Sequence, residues 1–305
     1  MSKRAAYLIV GLPHGGGTFL PAALRAHAPS LEAAGLGQPA RSADEMFRAA
    51  VEIRRDHQAW GLRRRDVEGA WAEICRRAYQ GKGDVVVGHD LLAAASGAEI
   101  ALLVDRLPGF DVHVVVAAGP ADPRLSLFPD DYDLAAVLGR WAAHVRTPDH
   151  VHVLVTDPAA PAGTWAALGQ VVGFDAALLP VPDDLLEGDG AGLDLANLRL
   201  LAGSAGSLTP VEELREAAED WAKAVAEGGY DVRGDLGGLA PRTTDPAGDD
   251  GPVQARLDLV SEALAETVAE LARLRGQHAE LQARAEKLQR KRKKLKRRLA
   301  DATGA

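Results

Sequence analysis

The chain holds a single cysteine, Cys75, in 305 residues. One thiol excludes an intrachain disulfide and any metal site built from several cysteines. With no disulfide framework, a cytoplasmic location is the expectation. Aromatic side chains are scarce too, at 5% of residues, so a core must be built mainly from alanine, leucine and valine. The 47% hydrophobic content is enough for one. No stretch approaches the ~20 consecutive apolar residues that a membrane span needs. Lys3 and Arg4 before Ala5–Val10 have the outline of a signal peptide. The run is short, Pro13, His14 and the glycines after them interrupt it, and no small-residue cleavage site follows. A buried first strand is the expectation instead.

Acidic residues are missing from Lys287–Arg298, KLQRKRKKLKRR, where nine of twelve residues are basic. The net charge of −8 therefore divides into a basic tip of +9 and a remainder of −17. Such a tip suits an acidic partner, nucleic acid or anionic lipid. It lacks interleaved aromatics and any separate reading motif, which argues against sequence-specific DNA recognition. Its cations also complement the dipole of a helix C-terminus.

What is present begins at Tyr7–Leu20, YLIVGLPHGGGTFL. An apolar run ends in a glycine-rich loop, and a helix-compatible segment, Leu20–His27, follows. Strand, loop and helix in that order cradle phosphates, because loop and helix N–H groups point at the anion and glycine lets it approach. Gly11, Gly16 and Thr18 have the spacing of a Walker loop, but Gly17 stands where its lysine belongs. Three more runs, Asp84–Val87, Val112–Val116 and Val151–Val155, are nearly continuous in apolar residues, as in a parallel sheet buried on both faces. Helical patterns lie between them at Ala43–Arg55, Asp66–Tyr79, Leu91–Leu107 and Asp133–Val145, with Gly163–Val172 after the last. This alternation predicts a doubly wound α/β domain. A further helix is expected behind Thr209-Pro210-Val211-Glu212, which reads as a capping box, with Leu214, Ala218, Trp221 and Val225 on one face. It should end at Gly228-Gly229. The Gly-, Pro- and Asp-rich 242–252 reads as a linker.

From 253 to 301 the pattern turns to heptads, from Leu257, Val260 and Leu264 through Leu281 to Leu295 and Leu299. An apolar seam over about six heptads predicts a coiled coil, ~70 Å long at ~1.5 Å per residue. It cannot bury its stripe alone, so a homo-oligomer is the simplest partner. His278 and Arg292 on the seam would weaken pairing and fix register.

Pro13-His14-Gly15-Gly16-Gly17-Thr18 resembles the 5′-phosphosulfate loop of the sulfotransferases, whose usual form is PKTGTT. Pro13, Gly16 and Thr18 match. The family lysine falls on His14, and two hydroxyl residues fall on Gly15 and Gly17. GTFLPAALRAHAPSLEAAGL is similar to the first helix and loop of bacterial sulfotransferase-like proteins, and Trp221–Pro241 to the tail of their folded domain. The resemblance spans residues 1–241. It implies a fold related to P-loop kinases, 3′-phosphoadenosine 5′-phosphosulfate as donor, a hydroxyl or amine acceptor, and no metal. His14 and the loop residues Pro13, Gly15, Gly16, Gly17 and Thr18 would hold the donor. A histidine at the lysine position is cationic only part of the time near neutral pH, so either reduced activity or a retired site follows.

His89, at the end of the second run, is the candidate general base, with Asp90 as its substitute. The plainer reading has His89 capping a backbone group and Asp90 as N-cap of the next helix. After the third run the family's 3′-phosphate arginine and serine are replaced by Ala118-Gly119-Pro120. Arg124 and Ser126 are the displaced substitutes. His144, His150 and His152 have no carboxylate or cysteine pattern of a zinc site, and His113 and His152 read as packed or edge histidines. Arg63–Arg65 reads as a solvated turn or the lining of an anion cleft. A non-catalytic oligomeric interaction protein on the same fold is the alternative function.

Overall fold

The computed structural model describes residues 3–12, 15, 17, 19–122, 132–185 and 209–242. The chain divides into two units, Met1–Asp245 and Pro246–Ala305, and every described residue belongs to the first. The expected coiled coil and basic tip lie outside the described residues.

Six parallel strands form one sheet in the order β2-β3-β1-β4-β5-β6. The strands are β1 (Arg4–Gly11), β2 (Leu36–Gly37), β3 (Asp84–Gly88), β4 (Phe110–Ala118), β5 (Val151–Val155) and β6 (Asp231–Arg233). Helices α1 (Leu20–Ala26) and α2 (Ala28–Ala33) follow β1. Between β2 and β3 come α3 (Ala43–Arg54), α4 (Arg64–Val67) and α5 (Ala70–Gln80). Then α6 (Gly97–Val104) precedes β4, α7 (Leu134–Ala142) precedes β5, and α8 (Pro161–Val172) and α9 (Val211–Glu227) precede β6.

Strand side chains alternate between two faces, and each face has its own core. Leu8, Val87, Val114 and Val153 pack with residues of α3, α5, α6, α7 and α9. Ile9, Val86, Val115 and Leu154 pack with residues of α1, α2 and α8. The division follows from crossover handedness. The β1–β2 connection runs toward one sheet edge and the later ones run toward the other, so connections of one hand fall on opposite faces. The long β5–β6 connection visits both, through α8 and α9. Asp133 ties α7 to α9: its Oδ1 accepts from the Ala136 amide at 2.9 Å, and its Oδ2 from Trp221 Nε1 at 2.6 Å. Among the described residues no helix is long and apolar enough to cross a membrane.

Several boundaries differ from the sequence pattern. The expected helix Asp66–Tyr79 is two helices, because Gly69 turns left-handed with φ 90°. The Glu52 carboxylate then accepts from the Gly69 and Trp71 amides at 2.7 and 2.8 Å, capping the new start. Leu91–Leu107 is also divided, into a short 3-10 turn and α6, which restarts on a Ser96–Glu99 capping box. α9 begins at Val211 with Pro210 as N-cap, one residue later than the start expected behind Thr209. Its buried face is Leu214, Ala218, Trp221 and Val225, as the spacing indicates. Strands β2 and β6 are two and three residues long and lack the apolar runs that reveal the other four.

Candidate functional site

Strand β1 sends its connection to one face of the sheet and β4 sends its own to the other. Open α/β sheets hold ligands in the crevice at such a divergence, beyond the carboxyl ends of the strands. The turn after β1 lies there. Leu12 N–H donates to the Ala117 carbonyl of β4 at 3.3 Å, and Gly15 N–H closes back on the Leu12 carbonyl at 2.9 Å. The buried Thr156 hydroxyl, just past β5, donates to the Gly15 carbonyl. The turn is thus fastened across the ends of β4 and β5.

Its glycines leave no room for side chains. A Cβ on Gly15 would stand 2.6 Å from the Ala117 carbonyl oxygen, and one on Gly17 would stand 2.5 Å from the Ala117 Cβ. A lysine at position 17 therefore has no space, quite apart from its charge. The Gly15 to Thr18 amides are the ones expected to face an anion, whereas the Gly15 amide is spent on the Leu12 carbonyl and the Leu12 amide on Ala117 of β4. Pro13, His14, Gly16 and Thr18 lie outside the described residues, as do Arg124 and Ser126. Among the described residues, Gly15 and Gly17 lie against Ala117 at the end of β4, and Asp90, past β3, lies against Gly11 at the end of β1.

At the β3 end, His89 caps the 3-10 turn Asp90–Leu92, as its plainer reading expects, and takes the N-cap position expected of Asp90. Its Nδ1 accepts from the Leu91 amide at 3.2 Å. A neutral imidazole has one lone pair, so Nε2 carries the proton. Asp90 is buried, and its carboxylate occupies the space that a Cβ on Gly11 would need. Two arginines hang on this turn: Arg54 Nη1 reaches the Leu91 carbonyl at 3.2 Å, and Arg140 Nη2 the Ala93 carbonyl at 3.0 Å. Arg54 Nη1 also donates to the Tyr132 hydroxyl at 3.2 Å. Burial pushes the Tyr132 phenol up to about 12, against the pull of Arg54, so it stays protonated.

A second polar cluster lies lower on the α1/α8 face of the sheet, around Asp111, His113, His150 and His152. Burial, with the neighbouring His150 and His152, pushes the His113 imidazole down to about 4. Sequence spacing missed the grouping because its members sit on different strands. The signal was there in D-x-H at 111–113 and H-x-H at 150–152, since strand residues two apart share a face. Arg63–Arg65 is a solvated helix start, with Arg63 paired to Asp66 at 3.1 Å and Arg64 to Glu68 at 3.1 Å. Arg64 also lines a cleft of about 580 Å³ with Arg55, His57 and Arg106.

No protein-family model, curated protein or solved structure matches the chain.

Proposed function

We propose that this protein is sulfotransferase-like and binds 3′-phosphoadenosine 5′-phosphosulfate at the crevice between β1 and β4. The observation that carries the reading is the turn itself. It lies at the divergence of two connections, with backbone in place of side chains at Gly15 and Gly17. The loop's resemblance to the phosphosulfate loop supplies the donor. Gly17 N–H at the start of α1, with the neighbouring loop residues Gly16 and Thr18, would hold the 5′-phosphosulfate. The donor supplies an activated sulfuryl group. The missing loop lysine leaves charge stabilisation to His14, so transfer is slow compared with a lysine-bearing loop. Asp90, rather than His89, takes the acceptor's proton, because the His89 lone pair is bound to the Leu91 amide. Titration calorimetry of the full chain with 3′-phosphoadenosine 5′-phosphate tests the site. Saturable heat at or below millimolar nucleotide supports it, and none at millimolar overturns it.

The heptad segment supports oligomerisation of the same protein as a separate part of the reading. Sedimentation of the full chain should give an oligomer, and a chain ending at Asp245 should give a folded monomer. A monomeric full chain overturns this part alone.

A further inference from the structure

The polar cluster on the α1/α8 face holds three potential metal ligands. One atom from each of Asp111, His113 and His150 lies within 4.8 Å of the others. All three stand near the amino ends of β4 and β5 and are partly exposed. From His113 to the rim at Ala117 is ~13 Å at ~3.3 Å per residue. The cluster is therefore distinct from the crevice, and it stands whether or not a nucleotide binds there.

The hydrogen bonds around the cluster fix which nitrogens are left for a ligand. Arg233 Nη2 donates to Asp231 Oδ2 at 3.1 Å, which keeps that carboxylate an acceptor. His152 Nδ1 meets the same oxygen at 2.7 Å, so Nδ1 carries the proton and Nε2 the lone pair. His113 Nδ1 lies 2.9 Å from His152 Nε2, so His113 donates there and keeps a lone pair on its own Nε2. A chain from Arg233 through Asp231 and His152 thus holds His113 in one tautomer. The same arrangement, a carboxylate or its relay behind a histidine, orients metal-ligating histidines generally.

His150 is set in a parallel way. Its Nδ1 lies 2.6 Å from the Thr147 hydroxyl oxygen and 3.5 Å from Asp149 Oδ1, a carboxylate oxygen that can only accept, so Nδ1 carries a proton. The His150 lone pair is therefore on Nε2, which faces Asp111 Oδ2 at 3.4 Å. With the ring neutral, two acceptors stand 3.4 Å apart, and the ring of His113 lies tilted against that of His150 with centroids 4.2 Å apart. A cation placed among the three atoms resolves that conflict. The 3.4 Å separation matches the edge of a tetrahedral zinc site. Bonds of ~2.0–2.1 Å to nitrogen and oxygen put two ligands ~3.3 Å apart.

We propose that Asp111, His113 and His150 bind a divalent transition-metal ion, with zinc favoured by the two-imidazole, one-carboxylate donor set. Three protein ligands leave a coordination position for water or a small anion. Asp231 and His152 are positioning residues that act through His113.

The test is zinc competition against a chromophoric chelator on the full chain, with cobalt absorption as a second readout. One zinc per chain is expected, along with the visible bands of a four-coordinate cobalt site. Loss of a ligand in Asp111→Asn or His113→Gln should weaken binding at least ~100-fold, and Asp231→Asn should weaken it by ~10–100-fold and shift the cobalt bands. His144→Ala, a histidine outside the cluster, should change nothing. Circular dichroism of each variant in chelator checks the fold. If His113→Gln does not fold, Asp111→Asn, which keeps size and shape, decides. Zinc that binds with unchanged affinity after loss of the Asp111 carboxylate overturns the proposal. So does a full chain that takes up no stoichiometric zinc, which would leave His150 as an imidazolium paired with Asp111.

Discussion

The Cβ that Gly17 lacks would stand 2.5 Å from the Cβ of Ala117 on the neighbouring strand. That contact makes the absent loop lysine a matter of packing as well as charge. The Gly17→Lys substitution, which recreates a Walker lysine on paper, should therefore destabilise the domain. Overpacking of this kind costs ~1–3 kcal/mol. Urea unfolding should show the loss, and calorimetry should show no gain in nucleotide affinity. A variant as stable as the parent, with tighter nucleotide binding, would refute the packing argument.

Thr156 is the fastener of the same turn. It is 2% exposed, and its hydroxyl donates to the Gly15 carbonyl. Replacing it with valine keeps the shape but leaves that carbonyl without its donor, at a cost of ~1–3 kcal/mol. Thr156→Ser should recover most of the loss. Equal melting temperatures for the valine and serine variants would count against the hydroxyl.

His89 and Asp90 can be separated by their different jobs. Removing the cap in His89→Ala should cost ~0.5–2 kcal/mol of stability. Any sulfuryl transfer should survive it at permissive temperature. Asp90→Asn should abolish transfer with little effect on nucleotide affinity. The reverse pattern of activities would return the base role to His89.

The parts legible in the sequence were those in which one physical demand dominates. Val85–Val87 and Val114–Val116 are buried on both faces, so their apolar runs announce strands directly. Leu36–Gly37 and Asp231–Arg233 pair along one edge only, and of these five residues Leu36 alone is buried, so nothing in their composition demands a strand. The helix break at Gly69 depended on a partner elsewhere, Glu52, of which periodicity carries no record; the break at Ser96 rests on the local Ser96–Glu99 box, a signal of capping rather than of periodicity. At the candidate site, Gly15 and Gly17 were readable as close-approach glycines. What they approach, Ala117 and Thr156, came only with the pairing of β1, β4 and β5. The same holds for His113 and His150, which the strand register makes neighbours.

Cys75 should be inert toward thiol reagents in the folded protein. It is 5% exposed on the buried face of α5, and burial pushes its thiol up to about 12. The thiolate is the attacking species, and a free cysteine has a pKa near ~8.5, so at pH 8 the ionised fraction should be about a thousandfold lower here. Burial adds a steric barrier that acts in the same direction. Colourimetric disulfide exchange at pH 8 should therefore be slow in buffer and run to one thiol per chain in denaturant. The rate in buffer should follow the rate of unfolding, because the open chain supplies the reactive thiol. Native reaction as fast as that of a free thiol would mean that the α5 face is not packed against the sheet as described.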